Sequence, residues 1–112
     1  MKPFSLVETK PGHFSLLLHA GSTSVDSRVE ELGHEANGYF WEGVAQLLVK
    51  TEAPSLEGKF DYDPEGGMFA AFGEDRAALE QLGALMAQVA NDEARLRSLM
   101  ATAEAIDFEF DD

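Results

Sequence analysis

An α+β fold, with two β-hairpins in one antiparallel sheet and helices packed mainly on one face, follows from three features of this sequence. Two turn motifs, Lys10-Pro11-Gly12-His13 and Asp63-Pro64-Glu65-Gly66-Gly67, each separate two stretches of alternating apolar and polar residues. Between them lies an apolar stripe of helical period at Phe40, Val44, Leu47 and Leu48. After them, residues 74–105 carry only helical patterning. Period two predicts strands, and period 3.6 predicts helices that bury one side.

The elements follow in order. Phe4 to Thr9 contains the β-formers Phe, Val and Thr. Pro11 presets the first central φ of a type II turn, and Gly12 supplies the positive φ of the second. His13 to His19 returns with Phe14, Leu16 and Leu18 on one face. A short helix runs to about Leu32, with Ser24 or Asp26 as its cap and Val25, Val29 and Leu32 on its apolar side; Gly33 stops it. Asn37 caps the next helix, which ends before Pro54. Gly58 to Asp63 and Met68 to Gly73 form the second hairpin. In the helical end, Leu79, Leu82, Met86 and Val89 make one stripe, and Leu96, Leu99, Met100 and Ala103 another. Asn91-Asp92, poor interior residues and good caps, divide them, although one long helix is the alternative. The end from Ile106 alternates apolar with acidic residues and reads as an edge strand or a frayed acidic end at 107–112. The expected core is Phe14, Leu16, Leu18, Phe40, Val44, Leu48, Phe60, Phe69, Leu82, Met86 and Leu99.

With 112 residues, the chain fits a single domain over 1–112. A 45 % hydrophobic content is that of a globular domain, which excludes disorder for most of it. No cysteine is present, so disulfides, thiolate metal sites and cysteine nucleophiles are excluded. The N-terminus shows no signal-peptide pattern, and no apolar stretch approaches a membrane span, so a cytoplasmic location is expected. Net charge is −13, and it is uneven: residues 1–59 hold 8 acids and 5 bases, residues 60–112 hold 13 acids and 3 bases. Such a field repels nucleic acid and anionic lipid and favours a basic partner. It also serves simple solubility.

Chemical motifs start and then fail. Asp61, Asp63 and Glu65 followed by Gly66 match the first half of a calcium loop, but its twelfth position, where a bidentate glutamate belongs, is Phe72. His34-Glu35 opens a zinc-protease pattern whose second histidine would fall at Gly38. There is no nucleophile elbow and no phosphate loop; Gly66-Gly67 lie between strands. Adjacent acids such as Glu30 and Glu31 are expected by chance among 21 acids. No catalytic activity, no metal and no cofactor are expected, and the function expected is protein binding.

One segment stands out. Gly33-His34-Glu35-Ala36-Asn37-Gly38-Tyr39-Phe40-Trp41-Glu42-Gly43 places three aromatics, including the single tryptophan, directly after an Asn-Gly turn. Phe40 and Trp41 can anchor the helix in the core, or Tyr39 and Trp41 can be exposed binding anchors. The run GHEANGYFWEGVAQLL, followed by FDYDPEGGMFAAFGED and a helical end, resembles the immunity protein 51 family of bacterial polymorphic toxin systems across residues 10–105. Members often carry glycine where this chain has Ala36, a small departure in the turn before the helix. The resemblance implies an α+β immunity protein that binds a cognate toxin domain and has no enzymatic activity. Candidate partner-binding residues are Glu30, Glu31, Glu35, Tyr39, Trp41, Asp61, Asp63 and Glu65. Two other classes stay open: a ligand-sensing or scaffold module with a pocket lined by Tyr39, Trp41 and phenylalanines, and a small hydrolase using Asp61, Asp63 or Glu65 with a metal.

Overall fold

Turn chemistry sets the first hairpin. Gly12 has φ of +77°, and β1 (Ser5–Lys10) pairs antiparallel with β2 (His13–His19) around it. Leu6 lies opposite Leu16 and Val7 opposite Ser15; the register shifts between Glu8 and Lys10 as a bulge. In the second hairpin β3 (Asp61–Tyr62) pairs with β4 (Met68–Gly73). Here β3 is shorter than expected. Gly58 has φ of +80°, and the Lys59 N–H still bonds back to the Leu56 carbonyl at 3.1 Å, so the chain is turning until Phe60. The two hairpins join through β2 and β4, giving one antiparallel sheet in the order β1-β2-β4-β3. The computed structural model describes residues 1–110; Asp111 and Asp112, the last of the acidic end, lie outside the described residues.

Caps and glycines divide the helices. In α1 (Asp26–Glu31) the cap differs from expectation: Val25 occupies that position, without a side-chain bond. Asp26 instead turns its carboxylate back onto the Thr23 backbone N–H and hydroxyl. Val25 and Val29 are buried, but Leu32 stays exposed, because Gly33 at φ +91° ends the helix there. In α2 (Gly38–Thr51) the Asn37 side chain accepts the Phe40 N–H at 2.9 Å, a cap worth about 1 kcal/mol. A single 3-10 turn, Pro54–Leu56, follows it. Asn91 and Asp92 do separate two helices, α3 (Arg76–Ala90) and α4 (Glu93–Ala105). Asp75 caps α3 through the Ala78 N–H, and Asp92 caps α4 through those of Ala94 and Arg95. Asn91 also donates to the Lys2 carbonyl at 2.7 Å, tying the N-terminus to this corner.

Helices α2 and α3 pack on one side of the sheet, and α4 packs on α3. Leu16, Leu18, Phe69 and Ala71 point into that layer and meet Phe40, Trp41, Val44, Leu48, Leu79, Leu82 and Met86, all buried. Phe4 joins them edge-on to Trp41 and Phe69, with centroids 6.5 and 6.4 Å away. Of the expected core, Phe14 and Phe60 are only partly covered. Phe14 lies near the open end of β2 with the Arg76 guanidinium 5.7 Å from its ring centre, and Phe60 meets Tyr62 edge-on at 5.7 Å. Through residue 110 the acidic end is neither strand nor frayed. Phe110 stacks on Phe40 at 5.0 Å and meets His34 at 5.2 Å, while Phe108 packs edge-on to it. Gly43 makes the seat: a Cβ there would collide with the Phe110 ring.

Phe40 therefore joins α2, the aromatic core and the chain end. Its truncation in Phe40→Ala should cost on the order of 3–5 kcal/mol. Urea unfolding measures this, and a loss well under about 1 kcal/mol would show that the ring does not hold this junction.

Candidate functional site

The two distinctive runs of the sequence meet in space. At the start of α2, the Gly38 N–H donates to the Gly66 carbonyl at 3.2 Å. Across the tight turn, Glu65 and Met68 exchange backbone bonds of 2.8 and 3.2 Å. Gly38 is fully enclosed, and a Cβ on it would drive into the carbonyl oxygens of Glu65 and Met68. Only glycine permits this approach, and the reason is space rather than backbone angle. The helix start is thereby locked to the end of the second hairpin.

That lock orients one row of carboxylates. Side chains alternate across a sheet, so a residue shares a face with its cross-strand partner. Asp61 lies opposite Phe72, and Glu65 is bridged to Met68; Asp63 lies between them, its N–H bonded to the Ala70 carbonyl at 2.9 Å. All three acids therefore project on the side of Met68, Ala70 and Phe72, away from the helices. The same side carries Leu17, opposite Ala70, and Val7, in the row of Ser15 and Phe72. Val7 is 39 % exposed and Phe72 42 % exposed. The face forms a shallow concavity of about 490 Å³ that Leu17, Met68, Ala70, Phe72, Asp63 and Glu65 help to line. Among the described residues, none of the three acids forms an ion pair; the nearby Lys59 faces Asp75 at 3.9 Å, and Arg76 pairs with Glu80.

The remaining candidates are placed elsewhere. Glu30 and Glu31 are exposed on α1, on the helical side; Glu31 pairs with Arg28 at 2.7 Å, and that guanidinium also reaches Glu93 of α4 at 3.6 Å. Glu35 is exposed and accepts from the capping Asn37 side chain at 3.2 Å. Tyr39 is exposed next to the Gly38 lock. Trp41 is not at the surface. It is wholly buried against Phe40 and Phe4, because the helix turns it toward the sheet, and its indole N–H has no acceptor among the described residues. It therefore cannot touch a partner in this fold. A groove of about 680 Å³ beside the chain end is lined by Leu32, His34, Arg97, Met100 and Phe108, among others, and not by Tyr39 or Trp41. Among the described residues, no group of three or more His, Asp or Glu side chains is placed to hold a metal, and no helix is long and apolar enough to cross a membrane.

Sequence reasoning missed the apolar half of this face: Val7, Leu17, Met68 and Phe72. A signal was present. The run Met68-Phe69-Ala70-Ala71-Phe72 is apolar at both parities, the pattern of a strand covered on both sides. A model of the immunity protein 51 family matches residues 4–105. The chain belongs to this family. No curated protein and no solved structure matches it. The match to immunity protein 51 takes in the sheet, the Gly38 lock and all four helices, and it ends before Phe108 and Phe110.

Two measurements probe this corner of the protein. Gly38→Ala should destabilise it by on the order of 3 kcal/mol, since backbone rather than a flexible side chain must move. Gly66→Ala, where a Cβ meets nothing within 4 Å, is the control and should stay within about 0.5 kcal/mol. Equal losses in urea unfolding would remove the close approach as the cause. The second concerns Tyr62 on β3. Burial, and secondarily the carboxylates of Glu57 and Glu42, push its phenol well above the ordinary value of 10.0. The unfolded phenol then loses its proton at a pH where the folded one keeps it. Stability from this group is thus intact below about pH 10 and falls as pH rises beyond it. Thermal melts of the native protein and Tyr62→Phe should run parallel below that pH and converge or cross above it. Parallel curves throughout would mean that Tyr62 is not the group responsible.

Proposed function

We propose that this chain is the immunity partner of a bacterial toxin domain, which it binds and neutralises through an acidic surface, in the cytoplasm of the cell it protects. The observation that carries the reading is the family match over residues 4–105. The charge of −13 supports it in a specific way. A strongly acidic inhibitor is drawn toward a basic partner, and toxins that act on nucleic acid expose basic clefts. Inhibition then needs no turnover and no cofactor. It needs a surface that covers the toxin's working face and leaves slowly. Asp61, Asp63 and Glu65, which form no ion pair among the described residues, are available for this, and Glu30, Glu31, Glu35 and Tyr39 extend the set of candidate contacts.

Co-expression with the toxin domain encoded beside its gene provides the test. The chain should restore growth of cells making that domain, and the two purified proteins should form a stable complex. Association should slow as salt rises from about 0.1 M to 1 M, because the screening length falls from about 10 Å to about 3 Å. No rescue and no complex would defeat the reading. Rescue with a salt-independent association rate would reduce the acidic charge to a solubility device.

A further inference from the structure

We infer that the uncovered face of the sheet is where the toxin domain docks, and that it takes a partner surface with an apolar centre flanked on one side by arginine or lysine. The inference rests on the reading that the chain binds a toxin domain, and adds the face and its chemistry. Strand β4 is apolar at both parities, as a strand covered on both sides is. The chain itself covers only one side, with α2 and α3. The other side keeps Val7, Leu17, Met68 and Phe72 within reach of solvent, contiguous through the pairings Leu17–Ala70 and Ser15–Phe72. An apolar patch of this kind on a small domain is an interaction surface.

Charge selects the occupant. Asp61, Asp63 and Glu65 form a row along the β3 edge of the patch. A second copy of this chain laid face to face would offer this row of three carboxylates only Lys10 and His13 from the same concavity, and would bring a second acidic row with them. A basic partner gains from the same row, since three carboxylates that form no ion pair among the described residues can each receive a cation as water leaves the apolar centre. The helical side also has an apolar groove beside the chain end, but Arg97 lies among its acids Glu104, Asp107 and Glu109, and Glu31 of α1 is already paired to Arg28.

The probe is the toxin domain that this chain protects against in co-expression. Affinity is measured by calorimetry for the native chain, for Phe72→Ala, for the triple variant Asp61→Lys, Asp63→Lys, Glu65→Lys, and for the helical-side variant Glu104→Lys, Glu109→Lys, at two exposed acids of the groove beside the chain end. Thermal melts check that each is folded, and sedimentation gives its oligomeric state. Phe72→Ala and the triple variant should each weaken binding by about tenfold or more, the loss expected for central interface contacts. The helical-side variant should bind as the native chain does, and the triple variant should lose most of the salt dependence of association. If the native chain binds the toxin, but only the helical-side variant is weakened, the docking face is wrong while the immunity reading stands. If the native chain self-associates and Phe72→Ala only abolishes that, the face joins copies of this chain, which also overturns the inference. If the native chain neither protects nor binds, the immunity reading fails first and this inference with it.

Discussion

The fold depends on one backbone-to-backbone approach, that of Gly38 to the turn between Glu65 and Met68. It lets an N–H of the first turn of α2 find an acceptor outside its own helix. A helix start leaves several such donors without partners. Asn37 satisfies one from inside the helix and the Gly66 carbonyl satisfies another from the hairpin. With its start fixed, α2 can lay Phe40, Trp41 and Val44 under the sheet, and those rings in turn hold Phe4, Phe69 and Phe110. Orientation of the second hairpin comes from the same contact, so the position of the β3 carboxylates is inherited from a glycine that bears no functional group.

Much of the architecture was legible because local chemistry and global packing agree. Pro11-Gly12 and Pro64 to Gly67 are strong turn signals, and each lies between strands that do pair. Asn37 and Asp92 occupy caps, as small polar residues before periodic runs should. Legibility declined where tertiary context decides. The pattern of Gly58 to Asp63 alternates like a strand, yet the backbone of Gly58 is still turning, and only Asp61 and Tyr62 pair. Leu32 fits a helical stripe but falls beyond the helix that would bury it. The ending from Ile106 alternates like an edge strand, whereas the aromatic pocket at Gly43 offers Phe110 a better place than a sheet edge would.

The candidate site was legible in part. Asp61, Asp63 and Glu65 stood out as a spaced acidic run, and the structure sets them on one face. Their apolar neighbours did not stand out, because a hydrophobic residue in a strand is ordinarily assigned to the core. Deciding which parity faces solvent requires knowing where the helices go, and that depends on the long-range contact at Gly38. Trp41 shows the reverse problem. Alone in the chain and beside a turn, it has the composition of a binding anchor, but the helix phase that buries Phe40 and Val44 buries it as well.

The brevity of β3 has a consequence for solubility under crowding. An edge strand offers unpaired N–H and carbonyl groups to any other strand, and an apolar sheet face beside it increases the danger of edge-to-edge aggregation. Here the edge is two residues long, its outward residue Asp61 carries a carboxylate, and Asp63 and Glu65 continue the acidic row into the proline turn that borders it. A second molecule approaching in register would bring like charges together before it could complete a ladder. At the opposite edge, the bulge between Glu8 and Lys10 interrupts β1 with a charge on either side. The protein can thus leave one apolar face open to solvent while both borders of the sheet resist extension into fibrils.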